Sequence, residues 1–344
     1  MKDAAGEDTP PVLAIDGGAT ATRALLVTGE GTVIGQGSGG PCGPVLSAQA
    51  REVVAGRVVA AVSEAVIEAT RGEGHVTVAA VHAGLTGMDR PAERIEWLRA
   101  ALESLSGRLE IAGPLGLSSD LETAVEGALG PAMAGILVYA GTGSVGAGRS
   151  ASGQLVRAGG QGYLIDDRGG GFDIGRMALQ AVVRAWDGRG PHTVLEELVC
   201  QTFGVTGWDG LKRAIYGAPD PKAAVAGVAP LVAEAVRLGD EAARRIVREA
   251  AGQLAELALA LFRRIRWPAE GPVPVRFAGG AFKNPALVQA FSDQVERLIP
   301  GARAERGVLP PAGGAVLMAL RAAGLGPDRL ASVTSRLVEA LGPA

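Results

Sequence analysis

Cysteine is nearly missing from this chain. There are two in 344 residues, Cys42 and Cys200, far apart and in no CxxC or Cys/His pairing. That excludes a disulfide framework, argues against a structural zinc site and suits a cytoplasmic location. Blocks of Lys and Arg are missing too, and a formal net charge of -3 supplies no electrostatic footprint for nucleic acid. The expected partners are therefore small molecules and copies of the chain itself, as a homodimer. No dense apolar run occurs. The longest uncharged stretch, 127–148, is broken by glycines and Pro131 and lacks the large apolar side chains that a membrane span demands. The first ten residues, MKDAAGEDTP, are polar and acidic; they lack the apolar core of a signal peptide and read as a loose terminus.

What is present suits a folded protein of two domains. Hydrophobic residues make up 47% and charged residues 20%, enough to bury a sizeable core. Glycine is abundant, 52 residues, and clusters at the ends of apolar runs, which implies many tight turns. VLAID and RALLVT read as strands, GEG as a hairpin turn and TVIGQG as a third strand. Apolar residues at helical spacing (Val53, Val54, Val58, Val62, Val66) predict a helix over 49–70. VTVAAVHAGL then reads as a fourth strand, 91–105 as a helix and RLEIAG as a fifth strand. This alternation predicts an α/β fold with a mainly parallel sheet.

A second copy of the opening layout follows at GILVYAGTGSVGAGRSASGQLVRAGG: strand, glycine turn with a hydroxyl, second strand, hairpin turn, third strand. Aligned without gaps, Thr20 falls on Ser144. A glycine turn at a strand end exposes backbone N–H groups that phosphate oxygens can accept from, and Thr20 or Ser144 could donate one more hydrogen bond. Asp16 precedes the first turn, and an anion there makes sense if a hard cation lies between it and the phosphates. Together these features point to Mg²⁺-nucleotide, although each turn alone equally describes an ordinary hairpin. A third glycine turn, in VPVRFAGGAFKNPALVQAF, follows a strand and opens a helix near Pro285. Gly279 and Gly280 suit close approach to a flat adenine or ribose, or simply a tight turn.

Three such turns in this order resemble the phosphate and adenosine motifs of the actin, sugar kinase and chaperone ATPase superfamily. Within it the chain resembles the N-acetylglucosamine kinase branch, also described as the BadF/BadG/BcrA/BcrD ATPase family. IDGGATATR, HAGLTGMD, LSSDLETAVEGAL, AGTGS and GGQGYLIDDRGGGFDIG carry the likeness. The resemblance implies two actin-like (ribonuclease H-like) α/β domains around a nucleotide and sugar cleft. They are expected over 11–118, joined by a C-terminal helix 326–344, and over 119–325. It also implies phosphoryl transfer from ATP, with Mg²⁺, to a sugar hydroxyl. In that picture Asp120 is the catalytic base and Asp16 the metal residue. The nucleotide contacts are Gly17, Gly18, Thr20, Thr22 and Arg23, then Gly141, Thr142, Gly143 and Ser144, then Gly279, Gly280, Ala281 and Asn284. The sugar contacts are Thr86, Asp89, Gly162, Asp167 and Arg168.

The residues themselves leave alternatives open. Ser119 and Glu122 form a capping-box pattern, so Asp120 is equally placed to favour a helix N-terminus. Asp167 sits in DDRGGG, which reads as a turn, and Thr86 and Asp89 suit capping of the helix from Pro91. Two departures bear on the substrate. Arg168 stands where the family carries Glu, and GPCGP (40–44) replaces a Ser-Thr-Asn-His type segment, removing an asparagine that bonds sugar hydroxyls. An arginine there can pair with a carboxylate or phosphate. Two other classes compete with the sugar kinase. An ATPase activator of a radical dehydratase or reductase needs cluster-holding cysteines, which Cys42 and Cys200 do not readily supply. A sugar-responsive repressor needs a DNA-binding helical module, for which the residues before the first strand are too few.

Overall fold

A computed structural model describes residues 10–18, 20–43, 47–88, 91–132, 134–265, 267 and 272–344. All but Pro10 of the expected loose terminus lies outside them. The chain divides into two compact units, Met1–Ala132 with Gly307–Ala344, and Met133–Arg306.

In the first unit the strands are β1 (Val12–Gly17), β2 (Thr22–Val27), β3 (Val33–Gly39), β4 (Val76–Val78), β5 (Ala80–Leu85), β6 (Leu109–Ile111) and β7 (Leu115–Ser119). The helices are α1 (Ala48–Ala69), α2 (Pro91–Glu103) and α3 (Asp120–Leu129). A five-stranded sheet runs β3-β2-β1-β5-β7, antiparallel across the first three strands and parallel across the last three. Both faces are covered, so β1 reads as continuously apolar. Leu13 and Ile15 pack with Val58, Val62 and Leu98 on one side. Val12 and Ala14 pack on the other with Val316, Leu320 and Leu337, which the chain brings back after visiting the second unit. This is the two-residue period of a strand buried on both faces.

The second unit repeats the plan with β8 (Gly135–Ala140), β9 (Ser144–Arg149), β10 (Leu155–Gly159), β11 (Pro274–Ala278) and β12 (Arg303–Arg306). Its sheet runs β10-β9-β8-β11-β12 with the same senses. Between β10 and β11 lie α4 (Gly171–Trp186), α5 (Leu195–Phe203), α6 (Gly207–Tyr216), α7 (Pro221–Ala226), α8 (Ala229–Arg237) and α9 (Glu241–Arg264). A 3₁₀ turn (Gly280–Lys283) and α10 (Pro285–Leu298) follow β11. Back in the first unit come α11 (Pro311–Ala322) and α12 (Pro327–Leu341). Among the described residues no helix is long and apolar enough to cross a membrane.

The internal duplication and the α/β class stand, and several details differ from the sequence reading. Both sheets are mixed rather than mainly parallel. On α1, Val54, Val58, Val62 and Val66 are buried as their spacing predicts, but Val53 is exposed. VTVAAVHAGL is two strands: β4 pairs with β6 in a separate two-stranded sheet, and β5 joins the main sheet, whose fifth strand is β7. Residues 119–132 and 307–325 belong to the first unit, not the second. The reason is the α3–α11 contact: a Cβ on Gly314 would stand 1.9 Å from the Thr123 carbonyl, so the two backbones touch there, and Arg321 bonds the buried Glu126 at 2.7 Å.

Candidate active site

In the first unit the ends of β1, β5 and β7 bring two carboxylates close. Asp16 is the penultimate residue of β1. Burial, then the charge of Asp120, push its carboxyl up to about 7, against the opposing pull of Arg23, its partner across the β1–β2 ladder. Asp120 opens α3, and the capping here falls to its neighbour. Ser119 accepts from the Glu122 N–H at 3.3 Å, while Glu122 accepts from the Ser119 N–H at 2.9 Å. With the helix end satisfied in this way, the Asp120 carboxylate accepts from the Thr86 hydroxyl at 2.7 Å. Thr86 is tied in turn to the strand-end carbonyl of Gly17 through its own N–H, at 2.9 Å. A Cβ at Gly17 would stand 2.5 Å from Leu85 Cδ2 and 2.7 Å from Cys42 Sγ, so the strand end tolerates no side chain.

The segment after β3 straps the first glycine turn down. The Cys42 N–H donates to Gly18 O at 2.8 Å, the Thr22 hydroxyl donates to Gly40 O at 2.7 Å, and the Arg57 guanidinium donates to Pro41 O. Cys42 is fully buried, and burial pushes its thiol up against the opposing Thr22 contact. It packs here as a small apolar group. Pro44 lies outside the described residues, as does Asp89.

The ladders correct the alignment of the two hairpins. Thr22 faces Gly17 and Ser144 faces Ala140, so Ser144 corresponds to Thr22, the first turn being one residue longer. Both hydroxyls are buried, and Ser144 donates to Arg168 O at 2.7 Å, the counterpart of the Thr22–Gly40 bond. Thr20 and Thr142 are the exposed hydroxyls of the two turns.

In the second unit the glycine-rich loop folds against the AGTGS turn. Asp167 adopts φ +56°, unusual for a residue with a side chain, and accepts from the Gly162 N–H at 3.1 Å. A Cβ at Gly143 would lie 2.2 Å from Asp167 Oδ2, so that glycine makes room for the carboxylate. Burial pushes the Asp167 carboxyl up, the Gly162 N–H opposes it, and Asp166 adds to it. Arg168 turns to its own unit: its guanidinium reaches Asp173 at 3.2 Å and Glu249 at 3.4 Å. Asp173, 4% exposed, also accepts from the Gly169 N–H and from Arg176. Burial alone would raise its carboxyl, but these partners hold it below the usual range. Sequence reasoning missed Asp173 and Glu249 as anchors. Asp173 stands inside the GGGFDIG stretch already singled out, while nothing near Glu249 signals a partner 81 residues away.

At the third turn Gly279 has φ +101°, and a Cβ there would stand 2.5 Å from Ala140 O, so only glycine fits against the end of β8. Gly280 has open space around it. Asn284 caps α10, accepting from Ala286 N–H at 3.0 Å, and Ala281 lies in the 3₁₀ turn between them.

Comparison with known proteins places these features in a family. The model of the BadF/BadG/BcrA/BcrD ATPase family matches residues 13–319. The N-acetylmuramic acid/N-acetylglucosamine kinase of Clostridium acetobutylicum is 30% identical over 245 residues, covering 71% of this chain and 76% of that protein. The N-acetyl-D-glucosamine kinase of Dictyostelium discoideum is 27% identical over 323 residues, covering 90% and 97%. Among solved structures, a Chromobacterium violaceum protein assigned as an N-acetylglucosamine kinase superposes with a TM-score of 0.64 at 30% identity, covering 90% of this chain and 99% of that one. A ROK family glucokinase from Streptomyces griseus, solved with glucose and AMPPNP, shares the fold with a TM-score of 0.54 at 19% identity over 90% and 99% of the two chains. With the family match running through β1, the capped α3, both glycine turns and α11, the chain belongs to the BadF/BadG/BcrA/BcrD ATPase family.

Proposed function

We propose that this protein is an ATP-dependent sugar kinase, transferring the γ-phosphoryl group of ATP to a hydroxyl of a hexosamine-type sugar, N-acetylglucosamine or a close relative. The observation that carries this reading is the state of Asp120. Its helix is capped by Ser119 and Glu122, its carboxylate is aimed by Thr86, and it shares its surroundings with a second carboxylate at the end of β1. A positioned carboxylate of this kind serves as general base toward a sugar hydroxyl. The sugar kinases among the relatives supply the substrate class.

Asp16 is the residue that would hold Mg²⁺. Two neighbouring carboxylates, one of them raised to about 7 despite the opposing charge of Arg23, leave negative charge that a hard cation would neutralise. Among the described residues no group of three His, Cys, Asp or Glu side chains forms a protein cage, so water and phosphate oxygens would complete the coordination. When bound, the ion neutralises charge on the phosphates during transfer. The buried Thr22 and Ser144 hydroxyls brace the two glycine turns; the Gly18 N–H is taken up by Ala21 O at 3.0 Å, so phosphate would be met by other backbone N–H groups of the turns and by the exposed Thr20 and Thr142. Asp167 takes sugar hydroxyls, with Gly162 fixing its carboxylate. A homodimer working in the cytoplasm on small molecules completes the reading.

The competing activator reading lacks ligands, since Cys42 is enclosed beside Thr22 and Gly17 and Cys200 belongs to the other unit. The test is coupled ADP release with a panel of hexoses, amino sugars, N-acetylated sugars and sugar acids. The fastest turnover is expected with an N-acetylated hexosamine; ADP release that no sugar accelerates would sink the proposal.

A further inference from the structure

The second unit contains a cavity of about 720 Å³ between α4, α6 and α7, a size that holds a nucleotide-sized molecule. None of the nucleotide or sugar contacts named above lines it. Its chemistry is two-sided. Leu179, Leu211, Ile215 and Val225 make an apolar floor, and four aromatic rings join them: Tyr163, Phe172, Trp208 and Tyr216. Trp208 is 47% exposed and Tyr216 77%, much apolar surface to leave against water.

The polar lining has one sign. Arg176, Arg184, Arg189, Lys212 and Lys222 line the cavity, and no carboxylate does. Three of these cations have partners nearby: Arg176 bonds Asp173, Arg184 bonds Arg189 O, and Arg189 bonds Asp187. Lys212 and Lys222 enter none of the ion pairs found among the described residues, and Lys222 Nζ stands 4.9 Å from the centre of the Tyr163 ring. Aromatic surfaces in a concave site with surplus positive charge suit a flat body bearing negative groups.

The cavity also touches the loops assigned to the reaction. Phe172 donates its N–H to Thr142 O at 2.8 Å and meets the Tyr163 ring edge-on at 4.8 Å. Lys222 is close enough for its charge to bear on Asp167. We infer that this cavity binds a small molecule with a planar aromatic body and one or more phosphate groups. Such a ligand is an aromatic phosphate separate from the phosphoryl donor, since none of the residues assigned to the nucleotide lines the cavity, and the site stands independently of the kinase reading.

The test uses 1-naphthyl phosphate as the probe and calorimetry on the full chain without sugar. One-to-one binding is expected, with inorganic phosphate at least about tenfold weaker because the rings contribute. Lys212→Ala and Trp208→Ala should each weaken the probe about tenfold; both side chains are exposed, so circular dichroism should show an unchanged fold. No binding at millimolar probe, or equal binding by both folded variants, would overturn the assignment. So would probe affinity that improves on diluting the protein, which would mean that a second copy of the chain fills the groove. The titration is repeated at saturating ADP: simultaneous binding is expected, and displacement of the probe would overturn the assignment by placing it in the donor's own site. Neither result depends on which sugar is phosphorylated.

Discussion

Replacing Asp120 with asparagine separates chemistry from folding unusually well, because the structure removes the usual confusion with helix capping. The cap is Ser119 with Glu122, and the substitution would leave both of its hydrogen bonds in place. An asparagine Oδ1 can still accept from the Thr86 hydroxyl now 2.7 Å from the carboxylate. What disappears is one negative charge. Its favourable interaction with the helix N-terminus is worth about 0.3–1 kcal/mol. Its repulsion with Asp16, part of what raises that group to about 7, offsets this loss. The net change in stability is therefore expected within about 1 kcal/mol, read as a shift of a few degrees in Tm. Catalysis has no such compensation, since an amide cannot take the proton of the attacking hydroxyl. Loss of a general base costs about 10²–10⁴ in rate. The assay is steady-state ADP release with the best sugar, together with Kd values for ATP and sugar; kcat should fall at least about a hundredfold while both affinities stay within a few fold. A variant turning over at the wild-type rate would refute the base assignment, and one that unfolds would refute the separation of cap from base.

Three further outcomes are expected. Asp16→Asn should fold at least as well as the wild type, because it removes a buried charge, yet lose at least about a hundredfold in kcat, with the Mg²⁺ dependence of turnover shifted to higher concentration; unchanged Mg²⁺ titration would defeat the metal role. Arg168→Gln frees Asp173 and Glu249 from a half-exposed guanidinium, a loss of about 1 kcal/mol after solvent screening. It should raise the sugar KM several-fold with kcat little changed and partial rescue by Arg168→Lys, whereas equal effects on the ATP KM would count against it. His82, 8% exposed and bonded to Ser118 at 3.0 Å, is pushed down to about 4 by burial, against the opposing charges of Glu122 and Glu126. Since the unfolded chain takes up this proton first, its stabilisation is full above about pH 6.5 and is lost as pH falls toward 4. The loss is worth about 3 kcal/mol, visible as a pH-dependent gap in urea denaturation between wild type and His82→Gln; a gap that stays constant from pH 7 to 4.5 would refute it.

How much of this was legible beforehand depended on whether the signal was local. Strand period, glycine turns and the Ser119–Glu122 capping box are written in consecutive residues, and β1, β2, α3 and the repeated hairpin follow from them. The small β4–β6 sheet was not legible, because the break at Ala79 lies within an unbroken apolar run. Nor was the domain boundary, since what holds α3 in the first unit is distant in sequence: Thr86 and Gly84 on one side, and α11, nearly two hundred positions further on, on the other. The fit of Thr20 to Ser144 failed for a simpler reason: an ungapped alignment cannot see that one turn is a residue longer.

That correction changes the chemistry assigned to the turns. Thr22 and Ser144 begin equivalent strands and send their hydroxyls to backbone carbonyls of a following loop, Gly40 and Arg168. A hydroxyl donating inward at 2.7 Å has spent its single proton and can offer a phosphate only lone pairs, which repel it. The same device, duplicated with the hairpin, therefore acts on loop position; under the proposed function phosphate would be met by backbone N–H groups of the turns other than that of Gly18, which bonds Ala21 O, and by the exposed Thr20 and Thr142. In the second unit the braced loop is the one that carries Asp167, and it is tied to the AGTGS turn by the Ser144–Arg168 bond together with the Gly171 and Phe172 N–H groups, which donate to Gly141 O and Thr142 O. A kinase needs its donor and acceptor sites registered to one another; under the proposed function these turn–loop bonds would supply that registration within a single unit.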